Sequence, residues 1–282
     1  MYPPRFEVHI ASSLKDALEK VEEGYIPLAG GQSLIPMMKL RLISPGRLVY
    51  VGTLAELRRV EEGGSFINIG AAVTHGEIEN SKLIRLVCPL LSETASEIGD
   101  LQIRNMGTIG GSIAHADPAA DYHAALLALD ARVVVARFEG ARELPYSEFV
   151  NGPYATSLEH GELVYSVKIP KAQGGYAYVK FTKIHTDFAI AGVAVLLEAT
   201  DDLKIRHIRI GVTGVQEAPF RATWLEEAFQ EAKLTEETIN KALSNLPIRP
   251  ISDARADEQL RLKVFRYAVK KAVNKALSRL KR

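Results

Sequence analysis

Two short segments place glycines and hydroxyls at a spacing suited to holding an anion. One is Ala29-Gly30-Gly31-Gln32-Ser33-Leu34, at the end of a short apolar run. The other is Thr108-Ile109-Gly110-Gly111-Ser112. A glycine pair has no Cβ atoms, so a phosphate can approach the main chain, whose N–H groups then donate to its oxygens. Gln32 and Ser33 add donors where a helix is expected to begin, and a helix start favours an anion. Either segment alone also reads as an ordinary turn. Two in one chain favour a shared diphosphate. Neither is a G-x-G-x-x-G or a G-x-x-x-x-G-K-[ST], so a Rossmann NAD domain and a P-loop ATPase fit poorly.

Between the second segment and the next helix lies His115-Ala116-Asp117-Pro118-Ala119-Ala120-Asp121-Tyr122-His123. Two imidazoles and two carboxylates in nine residues raise a metal site, but their spacing follows no strong metal template. A loop lining a ligand site, or a plain turn, fits better, and Asp121 then accepts hydrogen bonds from ligand hydroxyls. No G-x-S-x-G elbow is present. Cys88 lies beside Leu86, Val87 and Leu90 and reads as core. His75, His185 and His207 stand alone and read as structural, and Trp224 reads as a packing anchor.

These residues need elements to hold them. The chain has 282 residues, 47% of them hydrophobic and 24% charged, which is a folded protein of about two domains. Its 35 basic and 34 acidic side chains leave a formal charge of +1, which argues against nucleic acid as a partner. A single cysteine allows no internal disulfide and points to a reducing, cytoplasmic setting. It also allows no iron–sulfur cluster or four-cysteine zinc site on this chain. The first residues lack a basic-then-apolar pattern, so no signal peptide is expected. The longest apolar run, 188–197, is far short of the roughly 20 residues of a membrane helix.

Ser12 and Ser13 precede apolar positions 14, 17, 18 and 21, which predicts a capped amphipathic helix. Strands are expected at 25–29, 48–51, 66–72, 132–136 and 163–169, and helices at 34–42, 83–98 with Pro89 as a kink or break, and 122–129. Residues 104–121 read as a loop rich in glycine and small residues. After a linker at 171–175 the texture changes to strands at 176–184, 189–198 and 204–215, then helices at 223–232, 235–246 and about 256–280. That order suggests a separate α+β module beginning near Gly174. The last helix carries nine basic and no acidic residues from Arg261 onward. Packing on its own domain with a solvated basic face is favoured over a membrane surface or an acidic partner.

The run 29–36 together with 103–121 closely resembles the FAD-binding medium subunit of the molybdenum hydroxylases, such as aerobic carbon monoxide dehydrogenase, xanthine dehydrogenase and aldehyde oxidoreductases. The resemblance covers essentially the whole chain. It implies an α+β fold: a vanillyl-alcohol-oxidase-type FAD-binding domain over 1–173, in subdomains of about 1–52 and 53–173, then a C-terminal domain over 174–282 with a three-stranded antiparallel sheet and helices. It implies FAD contacts from Ala29, Gly30, Gly31, Gln32, Ser33, Leu34, Thr108, Gly110, Gly111, Ser112, Asp121, Leu158 and Lys180, with Lys183 a competitor for the last. It further implies a large subunit carrying molybdopterin, a small subunit carrying two two-iron two-sulfur clusters, a dimer of such heterotrimers, and electron transfer through FAD to an external acceptor. A self-sufficient flavin oxidoreductase of the same fold and a non-redox nucleotide-binding scaffold are the alternatives.

Overall fold

A computed structural model gives the fold and describes residues 2–200 and 202–280. Three main sheets organise it. The first is parallel, with Glu7–Ile10, Arg47–Tyr50 and Ile26–Leu28 in that order. The helix Leu14–Glu22 covers it. Ser13 caps that helix by accepting from the Asp16 N–H, and Ala17, Leu18 and Val21 are buried against Val49 and Val51.

The second sheet is antiparallel, in the order Val60–Gly63, Phe66–Gly70, Leu163–Pro170, Arg132–Arg137, Gly140–Pro145. Its central strand is the last to arrive in the chain, so the helical segment between residues 75 and 128 folds back over a sheet that closes behind it. The helix Asp121–Ala128 is buried at every position. A helix apolar on nearly all sides belongs in an interior. This one is part of the core built on the second sheet and packs against the strands Ala191–Ala199 and Ile205–Thr213.

Those strands belong to the third sheet, where the three expected strands are Gly175–Phe181, Ala191–Ala199 and Ile205–Thr213, all antiparallel. A two-residue strand, Phe220–Arg221, adds a fourth at the edge. It was too short to carry a period-2 signal. The helix Glu258–Leu280 lies across this sheet through Phe265, Val269, Val273 and Ala276. Trp224 stacks on Phe220, with ring centroids 5.6 Å apart.

One further expectation changes. Residues 104–121 are largely helical, as Leu101–Met106 and Ile109–His115. Asp100 caps the first by accepting from the Ile103 N–H at 2.8 Å, and Thr108 caps the second by accepting from the Gly111 N–H at 3.1 Å. The glycines concealed the helix, because their low propensity is offset here by caps and packing. The long helix expected over 83–98 is two helices, Lys82–Val87 and Pro89–Ser96, hinged at Cys88, and Pro89 occupies the first position of the second. Burial pushes the Cys88 thiol up to about 12, so it stays protonated core.

The basic terminal helix is tied down by its own charges. Lys275 and Arg279 both pair with Glu93 of the Pro89–Ser96 helix, at 3.0 and 2.6 Å. Arg261 is 1% exposed and donates to the carbonyls of Ile190 (2.8 Å), Ile251 (2.9 Å) and Gly214, and to Asp253 (2.6 Å). One guanidinium therefore holds three loops. Arg261→Met leaves those acceptors without their donor, and it should cost about 3 kcal/mol or more, read as a lowered thermal midpoint. An unchanged midpoint would show that the loops hold without it.

Two core histidines give a second expectation. His75 contacts the Tyr122 hydroxyl through Nδ1 at 3.1 Å, and His123 contacts that of Tyr146 at 2.5 Å. Burial, aided at His75 by the charge of Arg104, holds their rings down at about 3 and about 4. Both rings are neutral in the folded chain above those values, whereas in the unfolded chain they protonate near pH 6.5. Their stabilising contribution is full above about pH 6.5 and is lost as pH falls toward 4 and 3. The ring NMR signals of these two histidines should not move between pH 8 and 5. The urea midpoint should fall over the acid part of that range.

Candidate functional site

A cavity of about 480 Å³ opens where the three sheets meet. That is within the usual range for an organic ligand. All thirteen residues expected from the sequence line it, from Ala29 through Lys180. Lys183 does not; its ammonium reaches the Ala254 carbonyl at 3.4 Å instead.

The first glycine segment touches the main chain just ahead of the second. An ideal Cβ on Gly30 would lie 2.0 Å from the Met106 carbonyl oxygen, so only glycine permits this main-chain approach. Gly110 is likewise pressed on Ala71, where a Cβ would meet the side chain at 2.4 Å. Gly31 takes φ +70°, which turns the chain into the helix Leu34–Lys39. These three glycines are thus required by the protein itself. Gly111 differs: its exposed Cβ position would meet only the Thr108 hydroxyl, at 2.9 Å, and faces the cavity.

The supply of main-chain donors is unequal. In the second segment the N–H groups are used internally: Ile109 to the Val73 carbonyl, Gly110 to that of Ala71, Gly111 to the Thr108 hydroxyl and Ser112 to the Thr108 carbonyl. What that segment turns to the cavity is a Cβ-free surface and the Ser112 side chain. In the first segment no acceptor among the described residues takes the N–H groups of Gly30, Gly31, Gln32, Ser33 or Leu34. Gln32 turns its amide back to the Gly30 carbonyl at 3.2 Å, and Ser33 makes no side-chain cap on the helix it precedes. A run of free amides of this kind is an anion nest.

At another part of the wall, Asp121 and Lys180 form an ion pair at 3.0 Å with side chains only 4% and 3% exposed. Lys180 also donates to the Glu97 carbonyl at 2.9 Å, and the Tyr178 hydroxyl donates to Asp121 at 2.5 Å. Burial pushes the Asp121 carboxyl up, while Lys180 and Tyr178 pull it back. Its place in the first turn of a helix also favours the carboxylate. Burial, together with the neighbouring carboxylate, raises the Tyr178 hydroxyl well above its usual range, so it remains a donor.

Leu158 reaches the cavity on a loop held from behind by a bidentate pair, Arg142 to Glu162, at 2.7 Å for both bonds. Arg142 also donates to the Ser157 carbonyl at 2.6 Å. The sequence reading missed Glu162, His75 and the rim residues Thr186 and Phe188, all of which line the cavity. His75 follows Thr74, which forms a capping box with Glu77, but nothing local marked the residue as cavity wall. His115 and Asp117 also line it, and no group of three or more potential metal ligands occurs among the described residues.

Residues 4–172 match the family described as the FAD-binding domain in molybdopterin dehydrogenase, and residues 176–276 match the carbon monoxide dehydrogenase flavoprotein C-terminal domain. The chain is 36% identical to the glyceraldehyde dehydrogenase medium chain of Sulfolobus acidocaldarius, covering 96% of this chain and 98% of that one. It is 36% identical to the carbon monoxide dehydrogenase medium chain of Hydrogenophaga pseudoflava, covering 99% of both. A solved structure of reconstituted carbon monoxide dehydrogenase from Oligotropha carboxidovorans superposes with a TM-score of 0.95 at 34% identity, covering 99% of this chain and 100% of that one. The cavity whose walls are a free amide run and a Cβ-free surface therefore lies in a chain that belongs to the family of FAD-binding medium subunits of molybdopterin dehydrogenases.

Proposed function

We propose that this chain is the FAD-carrying electron-transfer subunit of a molybdenum-containing hydroxylase complex. It takes electrons from iron–sulfur clusters on a small subunit and passes them to an external acceptor, while a large molybdopterin subunit oxidises the substrate. The complex is a dimer of heterotrimers in the cytoplasm. No helix among the described residues is long and apolar enough to cross a membrane. The only thiol, Cys88, is buried, so the clusters belong on another chain.

The observation that carries the reading is the free amide run at Gly30–Leu34 lining one cavity with the bare surface of Gly111. The residues present fit a dinucleotide. The Gly30–Leu34 amides and the Ser33 and Ser112 hydroxyls supply donors for a diphosphate, and Ile26, Leu28, Leu34 and Met37 supply an apolar wall. Lys180 and Asp121 supply a charged pair for the polar edge of a ring system. FAD, when bound, accepts and gives up electrons singly or in pairs. The protein's part is to seat it, exclude water and set the local charge. In this reading residues 1–173 hold the cofactor and 174–282 close the site. The parallel and five-stranded sheets of the first part, and the four-stranded sheet of the second, support that division.

The purified complex should show flavin absorbance and contain molybdenum and iron. Gly111→Val adds bulk on the cavity side without meeting main chain. It should lower FAD content at least about tenfold, while the stability of the FAD-free chain falls by no more than about 2 kcal/mol, the range for a disturbed Thr108 cap. Full flavin content in that variant would count against the cavity as the FAD site.

A further inference from the structure

The Asp121–Lys180 pair is assembled by one strand and steadied by a residue that does not reach the cavity. Tyr178 and Lys180 are two apart on Gly175–Phe181 and so share a face. That face is turned to the helix Asp121–Ala128, while Ala177 and Val179 point into the C-terminal core. Each oxygen of Asp121 is taken from this strand. The Tyr178 hydroxyl donates to Oδ1 at 2.5 Å and the Lys180 ammonium to Oδ2 at 3.0 Å.

The hydroxyl has a place made for it. Gly192 lies opposite Lys180 in the neighbouring strand, and an ideal Cβ on Gly192 would sit 2.5 Å from the Tyr178 oxygen. Any other residue at 192 would displace it. The main chain of Tyr178 is also fixed. It lies on an edge strand, where its outward N–H donates to Glu93 at 2.7 Å. Glu93 is held in turn by Lys275 and Arg279 of the terminal helix, and Arg279 donates to the Tyr176 carbonyl at 2.6 Å. Asp121 and Lys180 line the cavity; Tyr178 and Gly192 do not.

We propose that Tyr178, seated over Gly192, is a positioning residue that holds the Asp121 carboxylate in its pairing with Lys180 and thereby sets the charge the cavity wall presents to bound FAD. This rests on the FAD reading above. Phenylalanine would fill the same space, so the hydroxyl itself is the functional difference. Without it, one buried carboxylate oxygen loses its donor. The negative charge at the wall is then less compensated and opposes uptake of electrons nearby.

The test uses the whole purified complex and reads the midpoint potential of its flavin together with FAD content. Tyr178→Phe should retain FAD and shift the midpoint to a lower value. Replacement of Tyr178 by 3-fluorotyrosine, a stronger donor of nearly the same shape, should shift it upward and does not depend on the phenylalanine variant folding. Tyr176→Phe, on the same face but without a bond to Asp121, should leave it unchanged. A merely structural hydroxyl would not move the potential in opposite directions. Wild-type potentials in both Tyr178 variants, or shifts of the same sign, overturn the inference. A wild-type complex that carries no flavin would instead overturn the FAD reading itself.

Discussion

The site depends on main chain touching main chain. Gly30 lies against the Met106 carbonyl, and Gly110 against Ala71. Through these approaches a segment from the parallel sheet and a helix laid over the antiparallel sheet become two walls of one cavity. A side chain at either position would force the walls apart. The glycines therefore serve two ends: Gly30 and Gly110 close the protein on itself, and only Gly111 is left bare toward the cavity.

The C-terminal part contributes more than a lid. Its first strand supplies Tyr178 and Lys180, and its third supplies Thr213, whose hydroxyl donates to the carbonyls of Pro118 and Ala120 at 2.8 and 3.0 Å. The turn that launches the Asp121–Ala128 helix is thus held from the opposite domain. A buried ion pair is weak evidence for stability, because desolvation offsets much of its attraction. The supports around this one, from Tyr178, Glu97 and the helix start, fix where its charges sit. That is what a redox cofactor would sense.

The distribution of donors also assigns different work to the two glycine segments. The sequence made them look equivalent, each with adjacent glycines and a hydroxyl. In the fold, Thr108 spends its hydroxyl as a helix cap and the amides after it are used internally, whereas the amides from Gly30 to Leu34 have no protein acceptor among the described residues. The first segment is the donor and the second the surface against which a ligand would rest.

Much of this was legible in the residues. The capped amphipathic helix at 14–22, the break at Pro89 and the three long C-terminal strands follow from local rules: caps, the missing proline N–H, and period-2 burial. The two glycine segments stood out because adjacent glycines followed by a hydroxyl suit an anion, whereas Leu158 and Lys180 entered only through the resemblance to the family. Local rules misread 104–121, where two short helices, the second carrying a glycine pair, are stabilised by Asp100, Thr108 and contact with Ala71 rather than by propensity. They read His75 as structural without its partner and were silent on Glu162 and Tyr178; the meaning of all three lies in partners 20 to 57 residues away. Sequence alone determined which groups were available and which elements would carry them. Which amides stay free, which carboxylate is paired and which glycine faces the cavity were decided by tertiary structure, because each is a question of what lies nearby in space.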